Sequence, residues 1–258
     1  MVADSAGPVD AALYSRHSDA VGIVRLNRPE RLNAVVPALV GGILAGFDQA
    51  EADGVRVLVI TGNGRAFCAG YDLKEPEPDD GDSAARARLE RLQDVTRRTI
   101  AFPGPVIAAV HGYALGAGAE FAFGCDLVVA SSDAVFGFPE VEVGLSVTGG
   151  ISHLLPRIVG LQRAKELILL GERFDAARAH DLGLVAQVTP VGLALAAALE
   201  LAEHLATRPP AALLLAKRLL DAGVDATVDQ ALGAEVAAAM TTLHSGENAD
   251  ATARFRDR

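Results

Sequence analysis

Tryptophan is absent from this chain and cysteine is rare. The 258 residues include no Trp and two cysteines, Cys68 and Cys125. Two cysteines in a chain of this length do not indicate a disulfide framework, so we expect reduced thiols and a cytoplasmic location. Aromatic residues make up 5% of the chain, too few for the stacking platforms with which proteins bind single-stranded nucleic acid.

Basic residues are outnumbered by acidic ones. The chain has 23 Lys and Arg against 33 Asp and Glu, a formal net charge of −10. A nucleic-acid-binding surface needs clustered Lys and Arg to neutralise phosphates, so this balance argues against a nucleic-acid partner. The same charge balance does not exclude binding of a small anionic ligand, because a local site can be basic on an acidic protein.

Signals for membranes, metals and nucleotides are also missing. The chain has no run of about 20 apolar residues, which is the length needed to span a bilayer. Residues 1–10 lack the basic start and apolar core of a signal peptide. His111 and His153 have no metal-ligand spacing, so no metal site is predicted. Gly62-Asn63-Gly64 and Gly116-Ala117-Gly118 lack the third glycine of a dinucleotide fingerprint.

Apolar residues, by contrast, are plentiful and patterned. Half of the residues are hydrophobic, enough for the core of one large α/β domain. A strand over 21–26, a helix over 37–52 and a strand over 55–61 predict a crossover unit. Further strands are predicted over 106–110, 127–130 and 185–188, and further helices over 84–100, over 161–170 and from near Gly116. The acidic, proline-bearing segment 74–83 is predicted to be a mobile loop, either a lid or a solvated connection.

The pattern changes near residue 191. Ala- and Leu-rich helices are predicted over 191–206, 210–222 and 227–242, with a last turn or two near 247–255. We therefore expect two parts, an α/β core over residues 1–190 and a C-terminal helical segment over residues 191–258.

Two stretches of small residues follow apolar, strand-like runs. They are Cys68-Ala69-Gly70-Tyr71-Asp72-Leu73 and His111-Gly112-Tyr113-Ala114-Leu115-Gly116-Ala117-Gly118-Ala119-Glu120. Glycine and alanine leave backbone N–H groups uncovered, so a ligand can approach them closely. Two such N–H groups aimed at one oxygen would form an oxyanion hole.

These stretches belong to a set of five motifs in a fixed order. The motifs are Leu26-Asn27-Arg28-Pro29 with Leu32-Asn33-Ala34, the run from Ala66 to Leu73, the run from Gly112 to Glu120, the run from Cys125 to Ala130, and Phe138-Pro139-Glu140 with Gly144-Leu145. In this order and spacing the chain resembles the crotonase family, the enoyl-CoA hydratases and isomerases, from about Val21 to the C-terminus. Each motif alone would be weak, whereas the five together are specific.

The resemblance implies a fold, a ligand and an assembly. The fold is α/β, a crotonase-like spiral of ββα repeats with a C-terminal helical segment that builds a trimer interface, so a homotrimer or a dimer of trimers is expected. The ligand is an acyl-CoA thioester substrate, with no permanently bound cofactor. Arg28 or Arg31 would meet phosphate oxygens of coenzyme A. The residues expected at coenzyme A are Arg31, Leu32, Ala69, Gly70, Asp72 and Leu73.

The resemblance also implies the chemistry. The backbone N–H groups of Tyr71 and Ala117 would hold the thioester oxygen. Glu120 and Glu140 fall at the two catalytic positions, with Glu120 activating water and Glu140 exchanging the proton at the α-carbon. Phe138-Pro139 beside Glu140 and the Ala-rich helix around Glu120 predict partial burial of both carboxylates.

Hydration of a 2-enoyl-CoA is therefore favoured over the alternatives. An enoyl-CoA isomerase of this fold commonly lacks a carboxylate at position 120, and a dienoyl isomerase would have a further acid near Thr148. Other thioester chemistry and a non-catalytic acyl-CoA-binding scaffold remain open. Tyr71 stands where the family usually has a small residue, which leaves the acyl-chain preference open. Glu142 is interpreted as a surface carboxylate and Cys68 as a small buried residue.

Overall fold

A largely parallel six-stranded sheet organises the chain. The computed structural model describes residues 10–76 and 79–246, so the helical turns expected near 247–255 lie outside the described residues. The strands in chain order are β1 (Ala12–Arg16), β2 (Val21–Leu26), β3 (Val57–Gly62), β4 (Val106–Val110), β5 (Tyr113–Leu115), β6 (Leu127–Ser131), β7 (Val135–Gly137), β8 (Phe174–Asp175) and β9 (Gln187–Thr189). The large sheet has the order β1-β2-β3-β4-β6-β9, and the others, β5-β7-β8, form a small second sheet.

Helices cover both faces of the large sheet. They are α1 (Pro37–Ala52), α2 (Asp82–Ala101), α3 (Ala117–Phe123), α4 (Ile151–Val159), α5 (Leu161–Leu170), α6 (Ala176–Asp181), α7 (Ala194–Ala206), α8 (Pro210–Gly223) and α9 (Val228–His244). Short 3-10 helices span Pro29–Arg31 and Pro139–Val143. Among the described residues, no helix has both the length and the apolar composition to cross a membrane.

Burial on both faces explains the apolar strands. Every residue of β3 and β4 is buried, and these strands pair in parallel with each other and with their other neighbours β2 and β6. Parallel strands covered by helices on two sides read as continuous apolar runs rather than alternating ones. The predicted α/β class is confirmed.

Helix α7 packs directly on the sheet. Its buried residues Ala198, Ala202 and Ala206 recur every fourth position and belong to one hydrophobic cluster with Val57 and Ile107. Small side chains at this spacing form one narrow face that lets the helix approach closely. The first helix of the predicted C-terminal segment is thus part of the core layer, and the proposed boundary between residues 190 and 191 stays a prediction.

A buried cation attaches α8 to the core. Lys217 donates from Nζ to the backbone oxygens of Thr99 (2.8 Å) and Gly104 (3.1 Å) and to Oδ2 of Asp126 (2.8 Å). A buried ammonium with three acceptors is satisfied and specifies where the helix docks.

Most long elements match their predictions. The elements over 21–26, 37–52 and 106–110 are confirmed with the same bounds, and α2 begins two residues earlier than expected. Strand β9 covers 187–189 rather than 185–188, since its pairing with β6 begins at Gln187. Val185 is buried but precedes the strand. The sequence patterns did not reveal the short elements β1, β5, β7, β8, α4 and α6.

Candidate active site

The two small-residue stretches lie side by side. Backbone Cys68 N–H donates to Tyr113 O (2.9 Å), and Leu115 N–H donates to Cys68 O (3.0 Å). A methyl group added at Gly70 would lie 2.8 Å from Leu115 O, and one added at Gly116 would lie 3.9 Å from Gly70 Cα. Both glycines have positive φ, +90° and +52°, so backbone conformation and the close approach each require glycine. The structure thus brings together segments more than 40 residues apart.

The backbone geometry leaves the N–H groups of Tyr71 and Ala117 outside the neighbouring strand pairing and helical hydrogen bonds. Val35 pairs with the Tyr71 segment in parallel fashion, donating to Gly70 O (2.8 Å) and accepting from Asp72 N–H (3.1 Å). In such a pair the N–H of the intervening residue points away from the partner. Ala117 is the first residue of α3, so its N–H has no intrahelical acceptor. Both residues line one cavity of about 400 Å³.

Glu120 is fully buried on α3 and is held by Thr148. The Thr148 N–H donates to Oε1 (2.6 Å) and the Thr148 hydroxyl donates to Oε2 (2.6 Å). Burial raises the pKa of Glu120, and the two hydrogen bonds from Thr148 oppose that rise because they favour the carboxylate. Each oxygen keeps a second lone pair for another donor.

The segment that carries Thr148 is held in place by the packing of Gly149 and by a hydrogen bond from α2. Gly149 has φ +56°, and a methyl group there would lie 2.7 Å from Glu120 Cβ. Thr96 of α2 donates from its hydroxyl to Gly149 O (2.9 Å) in a buried hydrogen bond. Thr148 lines the cavity and Glu120 lies directly behind it.

Glu140 faces the same cavity from the second 3-10 helix. Its side chain is 8% exposed, and a methyl group at Gly116 would lie 2.8 Å from its Oε1. Among the residues the structure describes, its buried Oε2 has no hydrogen-bond partner. Burial raises the pKa of Glu140 to about 7, and the charge of Glu120 adds to the rise. Burial of both acids agrees with the sequence-based expectation.

Asp72, one of the residues expected at coenzyme A, is bound by two arginines. Arg31 donates to both Asp72 carboxylate oxygens (Nε 3.3 Å, Nη2 3.1 Å), and Arg28 donates to Oδ2 (3.2 Å) and to Ala34 O. The pKa of Asp72 lies below its ordinary value: burial acts against the shift, but the Lys74 N–H and the two guanidinium groups outweigh it. Both arginines thus have a carboxylate partner, which sequence reasoning missed.

The other expected contact residues lie beside the cavity. Ala69, Gly70 and Leu73 line it, and the Ala69 N–H donates to Leu32 O (3.0 Å). A second cavity of about 680 Å³ is lined by Arg28 among others and shares Val36 and Pro37 with the first. A long ligand would therefore find two adjoining spaces at the start of α1.

Cys68 and Glu142 lie as the sequence analysis interpreted them, one buried and the other at the surface. Cys68 is fully buried, and burial raises the pKa of its thiol to about 12, which leaves it an unreactive thiol at neutral pH. Glu142 is exposed. In residues 10–76 and 79–246, no group of three or more His, Cys, Asp or Glu side chains is placed to hold a metal ion.

Comparisons with known proteins agree with this architecture. A family model described as enoyl-CoA hydratase/isomerase matches residues 16–258. The chain is 41% identical to the 2,3-dehydroadipyl-CoA hydratase of Escherichia coli strain K12, covering 83% of each chain. It is 38% identical to the 1,2-epoxyphenylacetyl-CoA isomerase of the same strain, covering 86% of this chain and 87% of the relative. The crystal structure of an enoyl-CoA hydratase from Polaromonas sp. JS666 superposes with a TM-score of 0.91 at 36% identity, covering 95% of this chain and 96% of that one.

The chain therefore belongs to the enoyl-CoA hydratase/isomerase family of the crotonase superfamily. The crotonase fold expected from the five motifs is confirmed. Since relatives carry both hydratase and isomerase names, membership does not choose between those reactions.

Proposed function

We propose that the protein hydrates the double bond of a 2-enoyl-CoA thioester. The observation that carries the proposal is one cavity whose wall combines Tyr71, Ala117 and Glu140 with Thr148, the residue that holds Glu120. The Tyr71 and Ala117 N–H groups would receive the thioester oxygen as it gains negative charge. Hydrogen-bond donors fixed in this way stabilise an enolate more than they stabilise the neutral thioester.

The environments of the two glutamates divide the acid and base roles. Burial raises the pKa of Glu120, and its two hydrogen bonds from Thr148 oppose that rise by favouring the ionised form. A carboxylate held in this way suits a base that takes a proton from water. Glu140 has an unpartnered Oε2 and a pKa raised to about 7, so a substantial fraction is protonated at neutral pH. It would deliver its proton to the α-carbon as water bonds to the β-carbon.

A single-base isomerisation is the second candidate. Glu140 lines the cavity, whereas Glu120 lies behind Thr148 with both oxygens already bonded. One carboxylate that moves a proton between the α- and γ-carbons would be sufficient for that reaction. A scaffold that binds acyl-CoA without turnover is the third and is tested by the same panel.

A substrate panel distinguishes these reactions. Hydration predicts loss of the conjugated-thioester absorbance of crotonyl-CoA, with a 3-hydroxyacyl-CoA as product. Isomerisation instead predicts that a 3-enoyl-CoA is converted into the conjugated 2-enoyl-CoA while crotonyl-CoA stays unchanged. Binding of acyl-CoA without conversion of any member would contradict both enzymatic proposals.

Thr148 offers a test of the base assignment. Thr148→Val removes the hydroxyl donor at nearly constant volume, so the pKa of Glu120 should rise because its ionised form loses a hydrogen bond. A base works only when ionised, hence the acidic limb of the kcat/KM profile should move to higher pH. On the acidic limb itself, we expect kcat/KM at a given pH to fall about tenfold. Thr148→Ser, which keeps the hydroxyl, should restore the wild-type profile; a valine variant with an unshifted limb would contradict the assignment.

Coenzyme A is proposed to bind along Arg31, Leu32, Ala69, Gly70, Asp72 and Leu73. Arg31 is partly exposed, with a side-chain exposure of 34%, and a guanidinium has five donors. It can therefore donate a hydrogen bond to a phosphate oxygen while it keeps its contacts with Asp72.

The assembly is proposed to be a homotrimer or a dimer of trimers. Helices α8 and α9 expose several large apolar side chains, namely Leu220, Val228, Leu232, Val236 and Leu243. An extended apolar surface of this kind marks an interface with another chain. Sedimentation equilibrium of the full chain measures the state, and a monomer at micromolar concentration would contradict it.

A further inference from the structure

One face of α2 forms part of the wall of the active-site cavity. The residues that it contributes are Ala85, Arg88, Leu89, Arg91 and Leu92. Most are three or four positions apart, so they share a side of the helix. The residues that line the cavity therefore include two arginines besides apolar side chains.

The two arginines differ in their partners. The Arg88 guanidinium donates from Nη1 to both carboxylate oxygens of Asp80 (2.8 and 2.5 Å). Across residues 10–76 and 79–246, Arg91 has neither a carboxylate partner nor a side-chain hydrogen bond. Its Nη2 lies over α1, where a methyl group added at Gly41 would be 3.8 Å away. Arg91 is exposed to solvent, so it brings a positive charge without a carboxylate partner to the open side of the cavity, in a protein whose net charge is −10.

The rise of helix α2 gives the distance of each arginine from the catalytic acids along the helix axis. Thr96, on the same helix, fixes Gly149 beside the Glu120 carboxylate. Arg91 and Arg88 precede Thr96 by five and eight residues, and at 1.5 Å per residue this is about 7.5 and about 12 Å along the axis. The apolar side chains of Leu92 and Leu89 lie on the same stretch of wall. From the acids outward along α2, the wall therefore presents Leu92 first, then Arg91, and then Leu89 and Arg88.

We propose that the preferred acyl group ends in a carboxylate, which Arg91 binds. This inference depends on the proposed function, because that function places the thioester at Tyr71 and Ala117. A guanidinium offers a planar pair of donors that matches a carboxylate, and the paired hydrogen bonds are charge-assisted. The apolar wall suits the methylene groups between the reacting double bond and the terminal carboxylate. A neutral chain of equal length would leave Arg91 without a partner.

Two six-carbon 2-enoyl-CoA substrates test the proposal, one ending in a methyl group and one in a carboxylate. We expect the wild type to prefer the carboxylated substrate in kcat/KM. Arg91→Gln should lower kcat/KM for that substrate by about 10- to 100-fold and leave the neutral substrate within about threefold. Arg86→Gln is the matched control, because Arg86 is an exposed arginine of the same helix that does not line the cavity. It should change neither value.

Two results would overturn the inference. Equal losses on both substrates after Arg91→Gln would show that Arg91 binds a phosphate of coenzyme A, which the two substrates share. A wild type that prefers the neutral substrate, with no effect of Arg91→Gln on the carboxylated one, would show that Arg91 takes no part in selection.

A binding measurement separates this inference from the proposed reaction. Calorimetry with hexanoyl-CoA and with the saturated six-carbon ester that ends in a carboxylate requires no turnover. If no enoyl-CoA is converted but the carboxylated ester binds more tightly and loses that advantage in Arg91→Gln, the hydration proposal fails and the carboxylate site stands. If both esters bind equally to the wild type, the carboxylate site fails whatever the reaction.

Discussion

Replacing Glu140 with glutamine is expected to lower kcat for crotonyl-CoA hydration by about 10²- to 10⁴-fold, the usual contribution of one general acid or base. Glutamine keeps the shape of the side chain and has no proton that it can transfer to the α-carbon. The buried site should accept it, because the Oε2 that it alters has no described hydrogen-bond partner to lose. Absorbance loss of the conjugated thioester measures the rate.

Glu142→Gln is the matched control for this variant. Glu142 lies two residues away in the same 3-10 helix but is exposed, so its replacement should leave kcat within about twofold of wild type, as surface changes usually do. A Glu140→Gln enzyme with near-wild-type kcat would contradict the role given to Glu140. Glu120→Gln should show a loss of similar size if two carboxylates are needed, whereas single-base isomerisation predicts a large loss at position 140 alone.

Ala117→Pro should lower kcat by about 10²- to 10³-fold through the loss of one oxyanion donor. Proline removes the backbone N–H at the first position of α3, where no intrahelical hydrogen bond is sacrificed and where proline is well tolerated. Gly116, the preceding residue, has ψ −125° and is not in the α-helical region that a following proline disfavours. The variant should therefore fold and lose activity selectively.

The control at this position is Ala117→Gly, which keeps the N–H and removes only a methyl group. It should retain kcat within a few fold, while Ala117→Pro should keep the thermal midpoint near wild type. An active proline variant would show that the Ala117 N–H does not stabilise the enolate. An inactive glycine variant would assign the loss to packing around α3 rather than to the missing donor.

Local pattern was sufficient for the long elements. The apolar run of β4 and the Pro-initiated helix α1 carry their bounds in a few consecutive residues, because burial on both strand faces and a fixed proline φ act locally. Two-residue β8 carries no such signal. It exists because the distant strand β7 supplies its pairing.

The candidate site divides in the same way. The motifs predicted that Glu120 and Glu140 belong to one candidate site, and their apolar neighbours correctly indicated that both are buried. Nothing in the sequence revealed that Thr148 binds both oxygens of Glu120 from 28 residues away, or that Asp72 joins Arg28 and Arg31 from more than 40 residues away. Such contacts depend on chain crossings that no short window records.

By itself, the sequence determined the α/β class, the family, and the tight turns at Gly70 and Gly116. Apolar pattern, motif order and the backbone freedom of glycine can all be read from the residues alone. Only the tertiary structure decided which carboxylate receives two hydrogen bonds, which one has an oxygen without a described partner, and which arginine of α2 has no described carboxylate partner. Those outcomes depend on desolvation and on neighbours a few ångströms away in space, and these are set once the chain has folded.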